Sequence, residues 1–344
     1  MTAAVLYGSE DLKIESIDIP TIAPDEVLLR VQVALTCGTD LKVWKRGYHA
    51  RMIRPPAVFG HELAGTIERI GADVTRDFRV GARVVPSNSA PCNVCLFCGK
   101  GQSNLCEDLL FNNGAYAEFI RIPGRIVQNN MPVIPNHVSF QDAAMLEPVA
   151  CVLRGIHETE IQPGDTTVVI GCGPIGLKFV RILAGRGVNV IALAKRASQA
   201  QIAKRFGARA AFIAPELTDP ASAVLALTEG GRGADSVIEA VGTPQTWEWG
   251  IQMVRRGGIV NLFGGCPRGT LVELDPNSLH YREVTIKSTF HHTPRFIRDA
   301  LETISRGEIR SSDFVNAEIP LSDLPRMFQH MKNRNGEMKV AVIP

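Results

Sequence analysis

The stretch Thr166-Thr-Val-Val-Ile170-Gly171-Cys-Gly173-Pro-Ile-Gly176 decides the reading of this chain. A short apolar, β-branched run leads straight into G-x-G-x-x-G, and a helix-forming segment follows. The glycine pattern alone is weak in a sequence with 31 glycines. Between a strand and a helix it is a dinucleotide fingerprint. The first glycine makes the tight turn, the second lets the backbone approach a pyrophosphate, and the third allows close helix–strand packing. The phosphates then meet free N–H groups at a helix N-terminus. Gly171, Gly173, Pro174, Ile175 and Gly176 are therefore candidate cofactor-binding residues; the competing reading is a structural turn.

The next strand bears on which dinucleotide. An acidic residue near its end would grip the ribose 2′-hydroxyl of NAD. Here the strand ends Leu193-Ala194-Lys195-Arg196, and no Asp or Glu occurs between Thr166 and Pro215. Two cations stand where a 2′-phosphate would lie, and a guanidinium grips phosphate as a two-pronged fork. Ala194, Lys195 and Arg196 thus point to NADP(H), the rival being a solvated, basic helix start. Downstream, strands expected at 188–193, 210–213, 236–240, 259–263 and 284–288 alternate with helices at 175–187, 198–207, 220–228 and 244–256. That alternation predicts a mostly parallel, doubly wound sheet. Beyond it the tail should hold helices at 295–306 and 323–333 and a last strand at 339–343.

Upstream the pattern is different. Short β-rich segments at 3–7, 12–17, 26–34 and 63–70, punctuated by Gly and Pro, predict a compact β domain with long loops. Ser139 with Asp142 reads as the start of a helix. In one loop Cys92-x2-Cys95-x2-Cys98-x7-Cys106 gathers four of the eight cysteines. Four thiolates suit the tetrahedral preference of a closed structural zinc site. An iron–sulfur cluster is the rival, but the ferredoxin spacing places its fourth cysteine after three residues and before proline. Met1–Pro20 does not read as a charged and apolar leader, which argues against a secreted disulfide framework. Net charge is +2, with no Lys/Arg block and no uninterrupted apolar span. Nothing here suggests nucleic acid or membrane as a partner. A soluble, cytoplasmic, two-domain protein is expected.

Cys37, His61, Glu62 and Glu147 lie on turn-like segments: Cys37-Gly-Thr39-Asp40, Gly60-His61-Glu62 and Leu146-Glu147-Pro148. Singly each has an ordinary structural explanation. Together, in the order CGTD, GHE, four-cysteine loop, LEP and dinucleotide unit, they make the whole chain resemble the zinc-dependent medium-chain dehydrogenase/reductase family. The similarity is to the polyol branch of sorbitol and threonine dehydrogenases, because Glu147 stands where other alcohol dehydrogenases carry a third cysteine ligand. The resemblance implies an α/β protein: a GroES-like catalytic domain (1–150, with 291–344 returning to it) around a Rossmann domain (151–290), assembled as a homodimer or homotetramer. It also implies a catalytic zinc on Cys37 and His61, with Glu62 or Glu147 completing the set, besides the structural zinc. Thr39 would relay the alcohol proton and Asp40 would orient a ligand histidine.

The chemistry implied is hydride transfer between NADP(H) and a secondary alcohol or ketone, with a polyol, sugar or cyclitol as the expected substrate. Zinc supplies Lewis acidity at the substrate oxygen. The same reaction with NAD(H), or a catalytically silent dinucleotide-binding protein, are the alternatives. Two departures from the family pattern stand out. The position five after Cys37, commonly histidine in the family, is Lys42. The segment from Lys42 to Arg54 is also unusually basic, either as a solvated loop or to attract an anionic or hydroxylated substrate. His291 and His292 fall near where the family places substrate.

Overall fold

The computed structural model describes residues 1–49, 51–333 and 338–344. The chain divides into two units, Met1–Ala150 with His292–Pro344, and Cys151–His291.

The first unit is built on antiparallel strands. Val27–Leu35 pairs with Glu62–Ile70 along one edge. Its other edge is shared by Phe119–Ile122 and by the last strand, Lys339–Ile343. The tail thus completes a sheet begun by the N-terminal half. A close approach explains Gly65, where a β-carbon would sit 2.3 Å from the Arg30 carbonyl oxygen, beside a register shift in the pairing. Apolar alternation along these strands faces a core containing Trp44, Phe59, Tyr116 and Phe328. The helix Gly38–Arg46 contributes Val43 and Trp44 to that core and buries Asp40 on the same face, the helical spacing of one stripe.

The second unit is a six-stranded, all-parallel sheet. In space its strands run 210–213, 189–194, 166–170, 234–239, 254–262 and 285–288. Numbered along the chain this is 3-2-1-4-5-6, the doubly wound order, with its switch point between Thr166–Ile170 and Ala234–Glu239. Ligands bind at the carboxyl ends of strands at such a point. The expected GroES-like plus Rossmann α/β class is what the structure shows.

Several elements differ from the sequence reading. Val315–Pro320, a strand paired parallel to Lys339–Ile343, is absent from the sequence reading although half-buried Val315, Ala317 and Ile319 alternate with exposed Asn316, Glu318 and Pro320. Pro276–Arg282 forms a short helix capped by Asp275 in a stretch with no apolar stripe. The helix at 244 ends at Met253, three residues early, and a strand runs directly from Val254 to Leu262. The helix at Ser139 is a single turn, Phe140–Ala143, followed by the longer Leu146–Glu158. No helix among the described residues is long and apolar enough to cross a membrane.

Candidate metal and cofactor sites

The four-cysteine loop folds so that Cys92, Cys95, Cys98 and Cys106 converge, all four sulfurs lying within 4.8 Å of one another. The Cys92–Cys98 and Cys95–Cys106 sulfur separations are 4.0 and 3.9 Å. Ligands about 2.3 Å from a tetrahedral zinc would stand about 3.8 Å apart, so the cage matches such an ion and all four cysteines are free. Backbone N–H groups favour thiolates here. Those of Cys98 and Glu107 pull Cys95 down to about 6, and that of Val94 lowers Cys92.

A second group joins Cys37, His61 and Glu62. Cys37 caps the helix Gly38–Arg46 in extended backbone, its sulfur accepting the Thr39 N–H at 3.5 Å. Asp40 closes the turn by accepting the Cys37 N–H at 3.1 Å on Oδ2. Its Oδ1 lies 2.8 Å from His61 Nδ1. That bond commits Nδ1 and leaves Nε2 as the ring's metal-binding nitrogen. Burial works against a charged imidazole, but Asp40 outweighs it and raises His61 well above its ordinary value.

Glu62 opens the strand Glu62–Ile70 and is buried. Its Oε2 pairs with Lys339, which the last strand carries into the same interior and which also donates to the Thr36 carbonyl at 2.7 Å. Burial opposes the Lys339 charge, yet Glu62 outweighs it and raises the ammonium above its usual range. Glu62 Oε1 is buried without a hydrogen-bond partner among the described residues. A buried carboxylate oxygen left so beside a thiol and an imidazole fits a cation. Thiolate, imidazole and carboxylate could together hold a zinc ion, with a further position open.

Glu147 stands elsewhere. It is the second residue of the helix Leu146–Glu158, and its carboxylate groups with His292 instead of with Cys37 and His61. Of the two glutamates expected to complete the zinc set, Glu62 groups with Cys37 and His61 and Glu147 does not. His292 is buried, with Nε2 3.0 Å from Ser87 Oγ and 3.2 Å from Asn88 Oδ1. Lys42, Lys45 and Arg46 are exposed on the helix after Cys37.

In the second unit a cavity of about 820 Å³ opens at the switch point. Gly171, Gly173, Ala194 and Lys195 line it. Gly171 holds φ +96°, and a β-carbon on Gly176 would lie 1.7 Å from the Gly171 carbonyl oxygen, so side chains are excluded at both. Pro174 begins the helix Pro174–Gly185, and Ile175 and Gly176 continue its first turn. Arg196 is not among the lining residues: it caps the helix Ala197–Arg205 and is exposed. Of the two expected cations, Lys195 alone reaches the cavity. Sequence reading missed the wall formed by Thr218, Asp219, Thr243 and Trp249, residues on two later loops and a helix with no shared motif. The Asp219 carboxylate is engaged in capping its own helix, accepting from the N–H groups of Ala221 and Ser222 and from the Ser222 hydroxyl.

Comparison with known proteins shows the family. Residues 23–133 match the family model for the alcohol dehydrogenase GroES-like domain, and residues 174–306 that for zinc-binding dehydrogenase. L-threonine 3-dehydrogenase of Bacillus subtilis is 31% identical over 98% of this chain and 96% of its own length. The chain belongs to the zinc-dependent alcohol dehydrogenase family. Sorbitol dehydrogenase of the same organism is 28% identical, covering 100% of this chain and 97% of its own. An NADP-bound structure from Sinorhizobium meliloti 1021 superposes with a TM-score of 0.88 at 28% identity, over 100% of this chain and 99% of the other. This dehydrogenase is accordingly a zinc-binding, nicotinamide-dependent oxidoreductase acting on an alcohol.

Proposed function

We propose that the dehydrogenase interconverts a secondary alcohol and a ketone with NADP(H), on a polyol, sugar or cyclitol. Cys37, His61 and Glu62 would hold a catalytic zinc and the four-cysteine loop a structural one, two ions per chain. When bound, the catalytic ion supplies Lewis acidity at the substrate oxygen. The chain's own residues do the rest. Thr39, on the turn after Cys37, takes the alcohol proton, Asp40 keeps His61 oriented, and the 171–176 turn seats the cofactor phosphates. When bound, the nicotinamide would supply the hydride acceptor, so the balanced overall reaction would be alcohol and NADP⁺ to ketone, NADPH and a proton.

The observation that carries the cofactor choice is the end of the second strand. Ala194 stands where a ribose-binding carboxylate would be, and Lys195 beside it lines the cavity. The acidic residue that lines the cavity, Asp219, is engaged in capping its own helix. The relatives named for sorbitol and threonine support a hydroxylated substrate. A cytoplasmic homodimer or homotetramer is the assembly we propose. The test compares kcat/KM for NADP and NAD in the unaltered enzyme and in Ala194→Asp with Lys195→Ala. The unaltered enzyme should favour NADP. Losing the charge-assisted contact costs about 1.5–3 kcal/mol, so the variant's preference should fall by roughly tenfold to a hundredfold. An unaltered enzyme that uses NAD better sinks the assignment.

A further inference from the structure

Tyr116 is fully buried, and neither the metal set nor the cofactor cavity contains it. A tyrosine that deep needs a partner for its hydroxyl. It has two. The hydroxyl oxygen is 2.7 Å from Asp40 Oδ2 and 3.2 Å from the Leu35 carbonyl oxygen. Leu35 ends the strand that leads to Cys37, and Asp40 holds both the Cys37 N–H and the ring of His61. The phenol therefore braces the carboxylate that links the Cys37 turn to His61.

The ring is fixed as firmly as its hydroxyl. It meets Phe59 edge-on at a centroid distance of 5.9 Å and Phe328 at 6.3 Å. Its face presses on Gly60, where φ is +90° and a β-carbon would lie 2.6 Å from Tyr116 Cδ2. The residue before His61 must be glycine because this ring occupies the space. Burial, and then the charge of Asp40, hold the phenol above its ordinary range, so it stays a donor.

We infer that Tyr116 is a positioning residue for the catalytic metal, acting through Asp40 on His61; the inference rests on the Cys37/His61/Glu62 reading. With two donors on Oδ2, the Asp40 carboxylate is held in one orientation, and Oδ1 accepts from His61 Nδ1 along one direction. The imidazole Nε2 then keeps a single aim. Partners one step behind a metal ligand typically govern affinity by about 10–100-fold; Tyr116 is two steps behind, and a smaller effect, roughly threefold to tenfold, is expected.

The experiment fills the four-cysteine site with zinc and then adds cobalt(II) to the unaltered enzyme, Tyr116→Phe, Asp40→Asn, the double variant and His61→Ala. The visible cobalt spectrum and the rate of cobalt transfer to a chelator are read, together with Tm. Tyr116→Phe should shift the spectrum and release cobalt roughly threefold to tenfold faster. The double variant should release no faster than Asp40→Asn alone, because the two residues act in series. If Tyr116→Phe lowers Tm but leaves spectrum and release rate unchanged, its role is packing and the inference falls while the metal reading stands. If His61→Ala gives the spectrum of the unaltered enzyme, the metal reading falls and takes the inference with it.

Discussion

At the scale of single residues, the pairing with Lys339 distinguishes Glu62, the carboxylate we propose as a metal ligand, from Glu147. Lys339 neutralises Glu62 Oε2 and leaves Oε1 without a hydrogen-bond partner, in a carboxylate that groups with Cys37 and His61. Glu62→Gln should therefore be poor in catalytic metal, whereas Glu147→Gln, whose carboxylate groups with His292, should retain it. Metal content after gel filtration checks this, and the opposite pattern would exchange the roles of the two glutamates. Lys339→Met should be costly in another way. It strands a buried carboxylate without its counter-charge, a loss of about 3–5 kcal/mol in unfolding free energy. Urea denaturation measures that loss, and a change under 1 kcal/mol, roughly the scale of a surface ion pair, would contradict it.

At the scale of elements, Asp142 joins the start of the first long helical region to the returning tail. Its Oδ1 accepts the Ser311 N–H at 2.6 Å and its Oδ2 the Ser139 hydroxyl at 2.7 Å. Burial alone would raise this carboxyl, but the Ser311 N–H and Ser139 outweigh it and hold it below the usual range. A depressed acid stabilises the fold above its unfolded pKa and loses that contribution as pH falls through the folded value. Asp142→Ala should cost about 1 kcal/mol at neutral pH, since the carboxylate is partly solvated. The gap between variant and unaltered enzyme should close as pH drops below about 4. Chemical denaturation at several pH values tests it, and a gap that persists at low pH would mean a packing effect. The four-cysteine loop is the other such element. Its two short helical turns, Leu96–Gly99 and Ser103–Leu105, bury little apolar surface, so metal should order them. Cys95→Ser should expose the loop to proteolysis while the rest of the chain stays resistant.

At the scale of the whole molecule, the two metal sites we propose, one closed and one open, predict two steps of metal loss. The closed cysteine cage should hold its ion after the Cys37/His61/Glu62 site has released one. Mild chelation should abolish turnover while Tm is unchanged, and stronger chelation should then lower Tm. Paired metal analysis and calorimetry check the order, and a single step with both effects together would refute it. Much of this molecule was legible in the sequence, where the relevant physics is local. The turn at Gly171–Gly176 needs glycines at fixed offsets, the zinc cage needs cysteines within one loop, and a strand–helix alternation implies a parallel sheet whatever else the chain does. Cys37 and His61 each have an ordinary explanation singly; the family resemblance pointed to the pair, and the fold groups them. Tertiary structure decided what depends on distant segments meeting. Lys339 looks like an interruption in an apolar strand until the tail sheet places it on Glu62, 277 residues away. Tyr116 looks like one more core aromatic until its hydroxyl is seen on Asp40. Glu62 and Glu147 are equally plausible ligands in a string of letters, and Lys195 and Arg196 equally plausible phosphate grips. Only the direction in which each backbone launches its side chain tells the members of each pair apart, because a carboxylate or an ammonium acts over a few ångströms and not over sequence distance.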